Sequence, residues 1–174
     1  MKVPMFVLNA TPVIYLAKTD RIQLLKELEI CCVLPNAVYE EVVKKGKEQG
    51  EADGLKVDNC VENDVLIMKE APKTPLSKKL DKTDWLDKGE HAVLVIAEES
   101  DAKAILDDKY GRQIAEAEDI DYGGTIHILI QLVKEDVLKP SDMKETVDDM
   151  IKSGWYCSTE LYAEIIEKID QLDK

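Results

Sequence analysis

Glu90 stands where a helix would ordinarily carry an apolar side chain. On a helix from Gly89 to Glu99, Val93, Leu94 and Ala97 follow it by three, four and seven positions, so its carboxylate shares their face. A charge aimed at a core costs several kcal/mol unless it is paired, protonated or bound to a cation. A few residues on, Asp107-Asp108 close a short apolar run, Ala102 to Leu106, just before a second helical pattern, Tyr110, Ile114 and Ala117. Asn9 closes a similar run, Val3 to Leu8, and Glu41 falls in another helical stretch. Carboxylate oxygens are the donors that hard cations such as Mg2+ and Mn2+ prefer. Several in one crevice can hold a metal that activates water for attack on a phosphodiester. No other catalytic constellation is present: there is no GxGxxG, P-loop or GxSxG, and His91 and His127 have no motif around them.

These residues depend on the elements that carry them. Val3 to Leu8 suits a strand buried on both faces, and Thr11-Pro12 supplies an N-cap and first helical residue for Val13, Ile14, Leu16 and Ala17. A helix over Arg21 to Leu28, a strand over Ile30 to Leu34 and a helix opened by Pro35 through Val38, Tyr39, Val42 and Val43 come next. Glu40 and Glu41 lie equally far from the centre of that last apolar face, so a helical wheel cannot choose between them. Lys44 to Gly54 reads as a frayed helix end or loop, suited to flexibility or partner contact. Leu55 to Cys60 and Val65 to Met68 read as short strands or an irregular edge, and Lys73 to Lys82 as a short helix behind Thr74-Pro75. Ile120 to Tyr122 is strand-like, and Gly123-Gly124-Thr125 turns into a helix with Ile126, Leu129, Ile130 and Val133 on one face. Pro140-Ser141 opens a helix through Met143, Val147, Met150 and Ile151. Ser158 caps a last one in which Leu161, Ile165, Ile166 and Ile169 pack. Strand-helix alternation predicts an α/β fold with a parallel sheet and a helical C-terminal end, as one domain over 1–174.

The totals narrow the classes. A hydrophobic share of 45% over 174 residues fits a folded chain with a real core. A net charge of −13, from 36 acids against 23 bases, repels nucleic acid at long range, which argues against a general RNA-coating protein. It argues less against an enzyme that meets RNA at a metal site. Cys31, Cys32, Cys60 and Cys157 lack zinc spacing and read as free buried thiols. MKVPMFVLNA lacks the apolar run of a signal peptide, and no apolar stretch approaches roughly 18 residues, so no membrane association and a cytoplasmic home are expected.

Each candidate also has an ordinary structural reading. Glu90 could be a helix-start acid whose side chain curls back to the backbone, Asp108 an N-cap and Asn9 a turn residue. Glu40 and Glu41 could be solvated surface, His91 and His127 packing residues, and Lys44-Lys45 and Lys78-Lys79 solvated charge. Only joint placement at strand ends and helix starts, where α/β folds build their sites, raises the functional reading. A response-regulator receiver domain shares the α/β order and acidic pocket but needs a Lys at a later strand end. Here Ile120 to Tyr122 runs into Gly123-Gly124.

Taken together, VLNATPVIYLAKTDRIQLL, LPNAVYEEVV, LDKGEHAVLVIAEE, AILDDKYGRQIA, GGTIHILIQL and MIKSGWYCSTELYAEII resemble the PIN domain, in particular a prokaryotic PIN-like branch related to VapC-type toxin ribonucleases. The resemblance implies a sheet of Rossmann-like appearance with helices on both faces. It also implies an acidic pocket that binds Mg2+ or Mn2+ and cleaves single-stranded RNA. In that family the first strand ends in Asp with Ser or Thr two residues later, matched here by Asn9 and Thr11. The Pro-x-x-Val-x-x-Glu spacing matches Pro35, Val38 and Glu41, and the Gly-Glu pair matches Glu90. The fourth acid falls in Asp107-Asp108, with Asp108 favoured by comparison with the related nucleases. Glu41, Glu90, Asp107 and Asp108 are thus the implied metal ligands, with Asn9 and Thr11 completing the catalytic set. A homodimer and an antitoxin protein are the implied partners.

Asn9 is the departure from that pattern. Its amide oxygen can still ligate a cation, but a unit of negative charge is gone. At an effective dielectric of about 20 such a charge is worth a few kcal/mol, so metal would bind about a hundredfold or more weakly. The expectation is therefore a metal-dependent ribonuclease of PIN type, set against a catalytically impaired module that binds RNA or a protein.

Overall fold

Consecutive residues of a strand point to opposite faces, so the burial of Phe6, Val7 and Leu8 in succession means that both faces of the first strand are covered. In the computed structural model, which describes residues 3–174, this strand, β1 (Met5–Leu8), lies at the centre of a five-stranded sheet. Met1 and Lys2, included in the single-domain reading, lie outside the described residues. Its companions are β2 (Cys31–Pro35), β3 (Ile67–Lys69), β4 (Lys103–Ile105) and β5 (Tyr122–Gly123), in the order β3-β2-β1-β4-β5. Every neighbouring pair is parallel; Val7 sits opposite Val33 on one side and Ala104 on the other. The order reverses between β1 and β4, so the crevice at their carboxyl ends is the switch point at which such sheets bind ligands. Asn9 follows β1, and Asp107 and Asp108 follow β4.

Ten helices complete the described chain: α1 (Ala10–Lys18), α2 (Asn36–Tyr39), α3 (Lys45–Glu48), α4 (Asp53–Glu62), α5 (Pro75–Leu80), α6 (Lys88–Ser100), α7 (Lys109–Ala117), α8 (Thr125–Lys134), α9 (Pro140–Lys152) and α10 (Thr159–Leu172). A 3-10 turn spans Ile22–Glu27, and a π-helical turn, Glu40–Lys44, joins α2 to α3. Helix α6 packs across β1, β2 and β4 with Ala92 to Ala97 buried without a break. That is why its apolar run is continuous instead of striped. The α/β fold with a parallel sheet and a helical C-terminal end agrees with the sequence reading.

Local differences have local causes. Asn9, not Thr11, occupies the N-cap position of α1, with no side-chain cap hydrogen bond, and Thr11 is the helix's second residue. Pro12 fits the first turn because the N–H it lacks would be unpaired there anyway. The segment expected as a helix over Arg21 to Leu28 is a 3-10 turn, whose three-residue repeat puts the buried Ile22, Leu25 and Leu28 on one side. Leu55 to Cys60, read as strand or edge, is inside α4: Val57 and Cys60 are buried at helical spacing while Leu55 is exposed. Leu161 is 36% exposed, so only Ile165 and Ile169 of the expected α10 stripe are fully packed. All four cysteines are free, Cys32 and Cys60 buried and Cys31 and Cys157 half-buried. No helix among the described residues is long and apolar enough to cross a membrane.

Asp107 ties three segments together. Its carboxylate accepts from the Thr125 backbone N–H (2.9 Å) and hydroxyl (2.7 Å) at the start of α8, and from Trp155 Nε1 (3.2 Å) between α9 and α10. Arg112 Nη2 lies 3.7 Å away. A side chain at Gly124 would collide with both Asp107 and Arg112, so the turn between β5 and α8 keeps a glycine. Asp107→Ala leaves the two Thr125 donors and the indole N–H without an acceptor and is expected to lower stability by about 2–4 kcal/mol. Urea unfolding followed by far-ultraviolet circular dichroism measures this, and an unchanged midpoint would show that the clamp holds nothing.

Candidate functional site

Asn9 is positioned by the sheet itself. Its backbone N–H donates to the Ile105 carbonyl at 2.9 Å, carrying the β1–β4 pairing one residue past the strand before α1 begins. The side chain does not cap the helix. It is 5% exposed, and its Oδ1 is buried with no hydrogen-bond partner among the described residues. An unpaired buried acceptor costs roughly 1–3 kcal/mol, so this oxygen is suited to a ligand.

Glu41 reaches the same place from the π-helical turn. The wheel could not separate Glu40 from Glu41 because they sit symmetrically between Val38-Tyr39 and Val42-Val43, and the turn they open is π-helical instead of following the 3.6-residue period. Glu40 pairs with Lys44 in solvent at 2.7 Å. Glu41 turns toward the start of α6, where a Cβ on Gly89 would stand 3.3 Å from Glu41 Oε2, Asn9 Oδ1 and Val38 Cγ2 alike. The missing side chain at Gly89 leaves room for both oxygens. Burial and the charge of Asp87 raise the Glu41 carboxyl above its usual range, with Lys45 opposing.

Glu90 follows directly and has two roles. It closes a capping box with Asp87: Asp87 Oδ1 accepts from the Glu90 N–H at 2.7 Å, and Glu90 Oε2 accepts from the Asp87 N–H at 3.2 Å. The helix-start reading of Glu90 is thus realised in the geometry. The side chain is half-buried, and its carboxyl is pushed up to about 7, chiefly by burial and then by Asp87, with Asp108 and Glu41 adding and the Asp87 backbone hydrogen bond opposing. Asp108 is the N-cap of α7, accepting from the Gly111 N–H at 2.8 Å, and its charge reaches Glu90.

The crevice therefore gathers Asn9, Glu41, Glu90 and Asp108. Asp107 faces Thr125, Trp155 and Arg112 instead, and Thr11 lies half-buried in the first turn of α1. Asp87 is the acid that the sequence reading missed, although an Asp-x-x-Glu spacing ahead of an apolar run is a capping-box signature that could have found it. Both histidines are engaged structurally. His91 Nε2 lies 2.9 Å from Asp81 Oδ1 and 3.2 Å from the Ser77 carbonyl, and His127 packs edge-on to Phe6.

Among the described residues, no three His, Cys, Asp or Glu side chains are gathered closely enough to hold a metal ion by themselves. The site also draws on an amide. Its donors are all oxygens, burial and then the Asp87 charge raise the Glu41 and Glu90 carboxyls, and the Asn9 Oδ1 has no partner among the described residues. Oxygen donors of this kind are what hard divalent cations prefer.

A family model described as DUF3368, PIN domain, matches residues 5–171. No curated protein matches the chain. Among solved structures, one that is similar is described as a domain of a functionally unknown protein from Methanocaldococcus jannaschii DSM 2661; the match has 14% identity and a TM-score of 0.45 and covers 70% of this chain and 90% of that one.

The raised Glu90 carboxyl makes stability depend on pH. The native state keeps this proton up to about 7, while the ordinary glutamate value is 4.5, so between those values the native state binds more protons and stability falls as pH rises. Glu90→Gln retains an acceptor for the Asp87 N–H and removes the charge. It is expected to be more stable than wild type at about pH 8, with the gap shrinking toward about pH 5. Urea midpoints at the two values check this, and a gap that widens on acidification would contradict the assignment.

Proposed function

The chain belongs to the PIN-domain family, and on that premise we propose that it is a Mg2+- or Mn2+-dependent endoribonuclease acting on single-stranded RNA. The observation that carries this reading is the buried, unpartnered Oδ1 of Asn9, set beside Glu41 over the bare Cα of Gly89 and next to Glu90. Glu41, Glu90 and Asp108 would hold the ion with Asn9 as a neutral fourth donor, and Thr11 would orient water from the first turn of α1. When bound, the cation supplies Lewis-acid activation of water and neutralises charge on the phosphate.

The same reading extends to the biology of the chain. We propose a single PIN domain working in the cytoplasm as a homodimer, as the toxin of a toxin–antitoxin pair. The −13 charge and the negative crevice suit a basic antitoxin segment that enters it. A second reading rests on Asn9 itself. With the first acid replaced by an amide, the crevice would bind metal too weakly for catalysis, and the chain would serve as a PIN module that binds RNA or a protein partner.

Calorimetric titration of metal-stripped protein with Mn2+, run beside a single-stranded RNA cleavage assay, separates the two readings. The first expects saturable binding and cleavage, both lost in Glu90→Gln, and Asn9→Asp tightening Mn2+ by about tenfold to a hundredfold. RNA bound but uncut at saturating Mn2+, with cleavage gained in Asn9→Asp, would establish the second. Cleavage unaffected by Glu90→Gln would refute the site assignment.

A further inference from the structure

On the segments that carry Asp87 and Asp108, two aromatic rings stand in solvent without a core to explain them. Trp85 is 71% exposed and Tyr110 52% exposed. Their ring centroids are 5.9 Å apart at 75°, so the rings form a corner. Both rings line a cavity of about 300 Å³ together with the apolar Leu86 and Ile114 and the polar Thr83 and Gln113. Trp85 comes two residues before Asp87, and Tyr110 two after Asp108, so the segments that supply crevice acids also supply the corner.

We propose that this cavity is a subsite for one unpaired nucleobase of the RNA, adjacent to the phosphate addressed by the acidic crevice. The proposal rests on the ribonuclease reading and adds to it where the substrate is gripped. An apolar cavity with a few polar groups at its edge is the form of a site for a small flat ligand. A heteroaromatic ring that stacks on one aromatic face meets the other ring edge-on, and Gln113 and Thr83 offer donors and acceptors to its rim. Base stacking needs no charge and tolerates any base, so it gives a chain of net charge −13 a way to hold RNA that long-range attraction does not provide. Lys82, Lys88 and Lys109 lie exposed on the same two segments, and none has an ion-pair partner among the described residues. They are free to contact the flanking phosphates.

The test is anisotropy of a labelled single-stranded RNA oligomer in metal-free buffer, where binding is read apart from cleavage. Wild type, Trp85→Ala, Trp85→Phe and Tyr110→Ala are each titrated with the intact oligomer and with versions carrying one abasic nucleotide. Trp85→Ala is expected to weaken binding of the intact oligomer about 5- to 150-fold, and Trp85→Phe less. One abasic position should cost wild type a similar factor and cost Trp85→Ala nothing further. Equal binding by wild type and Trp85→Ala, or an alanine loss that the abasic oligomers do not reproduce, overturns the subsite. So does Trp85→Ala changing only the sedimentation coefficient, which would make the corner a contact between two copies. The two readings fail separately: base-dependent binding without cleavage by metal-loaded protein removes the nuclease alone, and cleavage indifferent to Trp85 removes the subsite alone.

Discussion

The acidic crevice depends on the absence of one side chain. Gly89 is buried at the second position of α6, and any Cβ there would press on Asn9 Oδ1, Glu41 Oε2 and Val38 at once. With only hydrogen in that place, an amide from the end of β1 and a carboxylate from the π-helical turn reach the start of the helix. Helix α6 cannot drift away to relieve the crowding. Six consecutive buried residues pin it across the sheet, and the Asp87–Glu90 box fixes its first turn.

This arrangement concentrates like charge. Burial raises Glu41 and Glu90 most, Asp87 raises both further, and Asp108 and Glu41 add to Glu90. Each acid has a separate structural reason for its place: Asp87 and Glu90 cap α6, Asp108 caps α7, and Glu41 is carried by the widened turn after α2. The capping role and the site role do not compete, because a cap occupies one carboxylate oxygen and leaves the other. Helix N-termini at strand ends also contribute positive dipole ends, which makes them tolerant places for acids. The fold thus assembles a negative crevice from residues that stabilise its helices.

Much of this was legible in sequence, for identifiable reasons. β1 and β2 are covered on both faces and show as unbroken apolar runs, and α6 announces itself by its glycine-acid start and buried run. Thr74-Pro75, Asp108 and Ser158 mark helix starts correctly because a cap is a local device, read within four residues. What failed depended on non-local packing or on a different helical period. Glu41 could not be chosen over Glu40 because the two sit symmetrically about one apolar face, and a 3-10 repeat was hidden under an apparent helix at Ile22 to Leu28. Leu55 to Cys60 alternates well enough to resemble a strand, and only contact with the turn at Val42 and Val43 shows why Gly54 stands in the first turn of a helix there. Adjacent acids are the hardest case. Asp107 and Asp108 differ by one position, yet one is bound up with Thr125 and Trp155 and the other looks toward Glu90, and neither preference is written in the residues themselves.

Asn9 then acquires a physical meaning beyond a lost charge. Its side chain is more deeply buried than those of Glu41 and Glu90, with no donor facing Oδ1. An aspartate in that position would have to be desolvated beside Glu41 and would raise the neighbouring carboxyls further, so the metal-free protein would be destabilised by its own site. The amide keeps the oxygen donor while removing that repulsion. Affinity for a cation and stability without one therefore move in opposite directions at this position. Asn9 sets the balance toward a crevice that keeps an oxygen donor in place with one negative charge fewer to repel Glu41.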